Sequence, residues 1–562
     1  MSKKIHDSHH HHKCKCCKSI VKNNCCKCTI INYLPYVISK PGKYAIRENL
    51  TYDGSNKAIT VHANGVTIVF CGSHIELTNL SATGIYGNDV SKLTIKDGHI
   101  FTPTIAADNG SKGIDLVECK KVKLDSLLIR NTTYGTHIQN CEDVFVTHSH
   151  YVNHINAIGL YAPAIRVEGS KAVVVEESVF QGANTLPEYG SSNCAVDFTK
   201  CQTCRISNCQ FPDSDTSVSV VETNGCTIEN CIFERAINTS GIQMLLYEAQ
   251  GTVIRSCIFT QVKGPIAFCN CILPITGKDL LIENCVFNDA TIPSFPCTCI
   301  GTIGVSKGDL GSDVTLPFEN VIIRGNEIAC SSLFCMEIGG GANNILVENN
   351  TFKGGEQPLE FQIPGIDPAL LNIDSGASNI TIKNNSFHKG TYRGVWLSDS
   401  LYSEDQGTSK NIVFENNVIS GCGEHGLVVE GNHDNVVIKD NKVIGNTNDG
   451  IHLNMDANAV HLHENLVRAN LGTGINNLSA TATTLFNVSC NNGINCVGVT
   501  PVQSPGDSPI VVGSNICCPD VEAMNQLNTN VKGNLIKRKQ LNKQNNTQTL
   551  KQILAHRKLR IH

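Results

Sequence analysis

Three groups of side chains in this 562-residue chain have types and spacings that could do chemistry. Cys14, Cys16, Cys17, Cys25, Cys26 and Cys28 crowd together beside the run His9 to His12. Thiolates and imidazoles so closely spaced bind soft metals, which makes this arm a candidate zinc or copper site; the same thiols are also a set of crosslinking groups. Cys269 and Cys271, and Cys297 and Cys299, form two Cys-x-Cys pairs, each beginning twelve residues after an earlier cysteine, Cys257 or Cys285. If those earlier cysteines are equivalent positions of a repeat, the pairs stack into a four-thiol cluster that is buried, bridged or metallated. The third group is Glu337, Glu360 and Trp396. Carboxylates on adjacent units of a stacked repeat would sit about 5 Å apart, the separation used by retaining glycosidases, and repulsion would keep one protonated as an acid. Trp396, one unit later, offers a ring to stack on a sugar face.

These readings need a repeat to position them, and one is present. Aligning HGLVVEG (425–431), DGIHLNM (449–455) and TGINNLS (473–479) places Gly426, Gly450 and Gly474 24 residues apart. The companion segments NIVFENNVISGC, NVVIKDNKVIGN and AVHLHENLVRAN, beginning at Asn411, Asn435 and Ala459, keep the same step. Each unit reads as a short alternating strand, an Asn-rich corner, a second short strand, a turn, and Gly-Ile/Leu-x-hydrophobic. With looser spacing the unit recurs upstream as NILVENNTF, NVIIRGNEI, LLIENCVF, TVIRSCIF, CTIENCIF, CRISNCQF, AVVVEESVF, KVKLDSLLI and KLTIKDGHI. Three short strands per unit predict a parallel β-solenoid of roughly 15 coils.

One coil cannot bury its own apolar face, whereas coils stacked at about 4.8 Å build a continuous interior in which like residues lie over like. At the corner after the first strand the predicted column runs Cys209, Cys231, Cys257, Cys285, Asn326, Asn350, Asn385, Asn417, Asn441, Asn465. Buried Asn side chains satisfy their amides up and down such a stack, and thiols fill space in it. The outward position of the third strand is aligned as Asp115, His137, Arg166, Asp197, Ser219, Gln243, then Glu337, Glu360 and Trp396, with His452 further on. Asp115/His137 and Arg166/Asp197 read as ion-pair rungs.

The stretch LPYVISKPGKYAIRENLTYDGSNKAITVHANGVTIVFCGSHIEL, followed by GIYGNDVSKLTIKDGHI, resembles the opening coils of right-handed parallel β-helix proteins of the pectin-lyase-like superfamily, and the resemblance extends over about residues 30–500. It implies an all-β, right-handed, single-stranded parallel β-helix, and either a structural or glycan-contact role or a polysaccharide lyase, hydrolase or epimerase activity. The superfamily's common catalytic patterns do not carry over. There is no Asp-Asp pair, the nearest segment to Gly-His-Gly is Glu424-His425-Gly426, and only Tyr134-Gly135 and a displaced His137 remain of the epimerase pattern.

Charge divides the chain. Residues 1–28 carry seven Lys/Arg and one acid, and residues 532–562 carry nine Lys/Arg and no acid, leaving 29 basic against 49 acidic residues between them. The expected organisation is a Cys/His/Lys-rich arm (1–28), the solenoid's N-terminal cap (29–63), the β-helix (64–500), a C-terminal cap and linker (501–531) and a basic tail (532–562), in which Leu550, Ile553, Leu554 and Leu559 suit one short amphipathic helix. Basic termini can dock on an anionic partner, but nothing reads a nucleic-acid sequence. No run of 18 apolar residues predicts a membrane span, and the polar, cationic start predicts no Sec-type signal peptide. The Asn/Lys/Ile flavour, Cys-rich arm and β-helical body resemble proteins of giant DNA viruses, which implies a virion or host-cytoplasm setting, with other virion proteins or further copies of this chain as disulfide partners.

Overall fold

The computed structural model describes residues 28–498 and 515–517, apart from 105–109, 155–162, 184–193, 215, 237–241, 263–268, 289–296, 305–315, 331–333, 355–367, 375 and 399–407. Glu360, the arm cysteines from Cys14 to Cys26 and the basic tail therefore lie outside the described residues. The pairing of strands is parallel throughout, each strand bonding to its equivalent in the next coil. One coil shows the pattern: Thr216–Val221 pairs with Ile242–Gln250, Thr227–Glu229 with Val253–Arg255, and Ile232–Ala236 with Ile258–Val262. Three columns of strands result, called here the first, second and third sheets in the order of the predicted unit. The fold is the expected all-β parallel β-helix. No helix among the described residues is long and apolar enough to cross a membrane.

The corner between first and second sheets explains the Asn-rich pattern. Asn208, Asn230, Asn284, Asn349, Asn384 and Asn416 have φ between 53° and 58°. This left-handed conformation is one that Asn tolerates better than most side-chain-bearing residues. The residue after each turns inward and forms the predicted column. Asn385 donates its backbone N–H (2.9 Å) and Nδ2 (3.1 Å) to Asn417 Oδ1, and Asn417 does the same to Asn441 (2.9 and 3.0 Å). The column runs beyond Asn465 to Asn487 and Asn515. In its thiol half, Cys231 and Cys257 are fully buried and also donate to the carbonyls of Glu229 and Arg255. Burial pushes both thiols well above the usual cysteine range.

A second interior column is aromatic. Tyr151, Phe180, Phe211, Phe233, Phe259 and Phe287 stack with centroids 4.7–5.2 Å apart and near-parallel rings. The coil spacing imposes this parallel offset geometry on rings that would otherwise also pack edge to face. At the C-terminal end Ile516–Cys517 pairs with Val488–Ser489, and a Cys496–Cys517 disulfide ties that last strand to the preceding coil.

Candidate functional site

The outward positions of the third sheet carry the polar side chains that could meet a ligand. In its N-terminal half the predicted column is present in register. Asp115 lies beside His137, His137 beside Arg166, and Arg166 beside Asp197. Lys112 Nζ reaches Asp115 Oδ2 at 2.9 Å, and His137 Nδ1 contacts Asp115 Oδ1 at 2.8 Å. Burial raises the Asp115 carboxyl, but hydrogen bonds from His137 and Lys112 outweigh it and leave the group below its ordinary value. Asp115, His137 and Lys112 thus make the expected rung, whereas Arg166, though in register with Asp197, forms its ion pair with Glu168 on its own strand.

Two assignments in the column are corrected. Ser219 pairs with Leu245, not Gln243, and the partner of Glu337 on the next coil is Asn372, not Glu360. In both places a shift by an even number of residues preserves the alternation of inward and outward side chains, so hydrophobic pattern alone could not detect it. Glu337 is 5% exposed and accepts a 2.6 Å hydrogen bond from Thr302 Oγ1. Trp396 does project outward, between the buried Val395 and Leu397, yet it is only 4% exposed and packs in a small cluster with Phe334, Ala369 and Val428. Its Nε1 donates to Glu430 Oε2 at 2.8 Å, and the Arg393 guanidinium covers its ring at 4.2 Å. The indole face is thus occupied, which removes it as the sugar-stacking platform expected from the sequence.

The thiol pairs are brought together in backbone register: Cys269 lies over Cys297, and Ile272 over Ile300. Cys271 is a buried free thiol, whereas Cys299 is held in a disulfide. A cluster of four free thiols is therefore not present. Cys28 is a half-buried free thiol that opens the strand Cys28–Ile31, so the first described strand of the solenoid includes the last residue of the expected arm.

The most developed polar cluster lies where three regular 24-residue units follow one another. Gly426, Gly450 and Gly474 stand where each coil's backbone touches the next. A Cβ at Gly450 would lie 2.6 Å from the Gly474 carbonyl oxygen and 2.4 Å from Val467 Cγ1. That close approach sets His425, the residue before one glycine, against Asp449, the residue before the next. His452 reaches back from the strand Ile451–Leu453, placing its Nδ1 2.8 Å from Asp449 Oδ2. His425 Nδ1 is 3.7 Å from the same oxygen, and the two imidazole centroids are 4.9 Å apart. Asn476 Nδ2 donates to Asp449 Oδ2 at 2.8 Å, while the Thr473 backbone N–H holds Oδ1 at 2.7 Å. Burial pushes the Asp449 carboxyl up, but the bonds from His452, Asn476 and Thr473 and the nearby His425 bring it down to about 2. One coil earlier, Arg393 lies 3.5 Å from Glu424 and 3.4 Å from Glu430, and Glu424 Oε1 is 3.9 Å from His425 Nε2. A continuous patch of guanidinium, carboxylate, imidazole and amide groups results.

His452 in the outward column and His425 in its motif are legible in the sequence; Asp449 and the meeting of all three are added by the structure. The signal was available. In HGLV, DGIH and TGIN, the position before glycine reads His, Asp, Thr and the outward position reads Val, His, Asn.

The sequence matches the family described as the right handed beta helix region over residues 162–308 and 310–467, more than half of the chain, and the protein belongs to that family. Solved structures with a similar fold include a mutant tailspike of the E. coli bacteriophage HK620 in complex with a pentasaccharide, at 12% identity over 80% of this chain and 69% of that one, with a TM-score of 0.36. Another is a mutant of the periplasmic alginate epimerase AlgG, at 10% identity over 70% of this chain and 78% of that one, with a TM-score of 0.38. No curated protein matches the sequence.

Proposed function

We propose that this chain is a glycan-contact rod, a structural component of a virion, that holds polysaccharide against the outward face of its third sheet without cleaving it. The observation that carries this reading is the polar patch running from Arg393 through Glu424, Glu430, His425, Asp449 and His452 to Asn476. Its groups stand on or beside strands fixed by coils on both sides, so hydroxyl-rich chains would meet donors and acceptors whose ordering has already been met in folding. Asp449 is held ionised and so is poorly suited to donate a proton to a leaving group. The basic segments 1–28 and 532–562 serve in this reading as assembly handles, with the arm cysteines crosslinking copies or neighbouring virion proteins, or holding zinc or copper beside His9 to His12.

The test is calorimetry with pectin, alginate, chitin and bacterial capsule glycans, alongside assays for new reducing ends and unsaturated products. Binding to at least one of these without turnover, weakened by Glu424→Gln, is the expected result. Catalysis is the second reading, favoured by the 2.8 Å contact between Asp449 and His452, an arrangement that can orient an imidazole as a base. Turnover abolished by Asp449→Asn, with folding intact, would replace the first reading with the second. Mass spectrometry of purified particles, reduced and non-reduced, tests the virion setting and maps the bridges.

A further inference from the structure

Two imidazoles and one carboxylate from adjacent coils, His425, Asp449 and His452, offer donor atoms that all lie within 4.8 Å of one another. We infer that they form a binding site for a divalent transition-metal ion of the zinc class, with the remaining coordination positions open to the outward face.

The donor set and its spacing carry the inference. In a tetrahedral site with bonds of 2.0–2.1 Å, neighbouring donors stand roughly 3.3 Å apart. The separations from Asp449 Oδ2 to the two Nδ1 atoms, 2.8 and 3.7 Å, bracket that value, and with all three donors within 4.8 Å of one another the two imidazoles would turn toward each other to seat an ion. Two neutral imidazoles with a carboxylate select zinc, iron, cobalt or nickel over calcium and magnesium, which prefer oxygen alone. Three protein ligands also leave a zinc ion positions for water or an added ligand. The side chains are largely buried, with exposures of 12% for His425, 8% for Asp449 and 20% for His452, which limits competition from bulk water while leaving a path to it.

The surroundings hold the ligands as metal sites generally require. The Thr473 N–H occupies Asp449 Oδ1 and turns Oδ2 toward the imidazoles, and Asn476 steadies the same carboxylate from the next coil. The Asp449 N–H points at His425 Nδ1 from 3.3 Å, which leaves that nitrogen unprotonated; this long contact is one that a metal–nitrogen bond can displace. Glu424 and Glu430 outnumber Arg393 nearby, so the local field favours a cation.

The site stands independently of the glycan reading, because its test contains no glycan. The full chain also carries thiols and a histidine run near its N-terminus, so the measurement is a difference between variants rather than a bare count. Chelator-stripped protein is titrated with cobalt chloride, and then zinc chloride is used to displace the cobalt. The intact chain is expected to bind one more equivalent than a folded His425→Gln/His452→Gln variant. That equivalent should give a visible band of nitrogen and oxygen ligation, distinct from the intense near-ultraviolet absorption of thiolate–cobalt bonds. Asn476→Ala should weaken this equivalent roughly 10–100-fold. Equal metal content and unchanged visible spectra in the two proteins would overturn the inference, as would preference for calcium over cobalt. Should the double variant fail to fold, Asp449→Asn, which keeps size and one acceptor, is read in the same way.

Discussion

At the scale of single residues, the interior column shows how much one side chain can hold together. Asn417 Oδ1 accepts two hydrogen bonds from Asn385, and its Nδ2 donates to the Ile382 carbonyl at 2.8 Å. Asn417→Leu leaves those partners buried and unpaired, and should destabilise the protein by on the order of 3 kcal/mol, since each orphaned buried group costs about 1–3 kcal/mol. Denaturant titration reads this, and a neutral outcome would contradict the column. His154 makes the opposite kind of prediction. It is fully buried, with Nδ1 2.8 Å from the Thr132 carbonyl and Nε2 3.3 Å from that of Ile129. Burial lowers its pKa from 6.5 to about 4 against the upward pull of both carbonyls. The unfolded chain therefore takes up this proton first as pH falls, so the stability His154 allows at neutral pH declines between 6.5 and about 4 and is steady below that. The loss should approach about 3 kcal/mol. Comparing urea titrations of the protein and of His154→Gln at pH 7 and pH 4 isolates it.

At the scale of strands and corners, the glycines before the third sheet matter more than their neighbours' polarity suggests. Gly450→Ala drives a methyl into the Gly474 carbonyl oxygen, a backbone atom that cannot swing aside, and should cost roughly 1–3 kcal/mol by overpacking. Because the same approach sets His425 against Asp449, this variant should also weaken any ligand held there, which binding of cobalt to refolded protein measures. The strands themselves were readable from sequence wherever units were 24 residues long, because Gly426, Gly450 and Gly474 and the Asn column fixed the register twice over. Register failed where long segments separate the strands. Between Phe334–Ile338 and Ala369–Ile373, the segment Leu359-Glu360-Phe361 offers the same apolar-x-apolar pattern as Leu371-Asn372-Ile373, and nothing local chooses between them. Burial of Trp396 was illegible for a different reason. Alternation tells which face a side chain leaves from, but not whether Phe334, Ala369 and Val428 close over it.

At the scale of the whole molecule, every coil is held by its two neighbours through the same three sheets, so stability is close to a sum of coil and junction contributions. The uneven ends are secured differently. The first described strand, Cys28–Ile31, is paired to Lys43–Ile46, and the last, Ile516–Cys517, carries the single covalent tie to its neighbouring coil among the residues whose bridging partner is described. The backbone hydrogen bonds that join coils point along the rod rather than across it, and this has a mechanical consequence. Tension applied between the two ends should not shear the sheets all at once but peel coils from a terminus in turn, with three strands' bonds giving way per step. For the units at 425, 449 and 473, each step should release 24 residues, roughly 80 Å of extended chain at about 3.4 Å per residue. Optical-trap extension should therefore show a staircase of near-equal small steps through this region, coarser where the longer coils lie. One abrupt rupture of the whole length would mean that the coils share load as a single body.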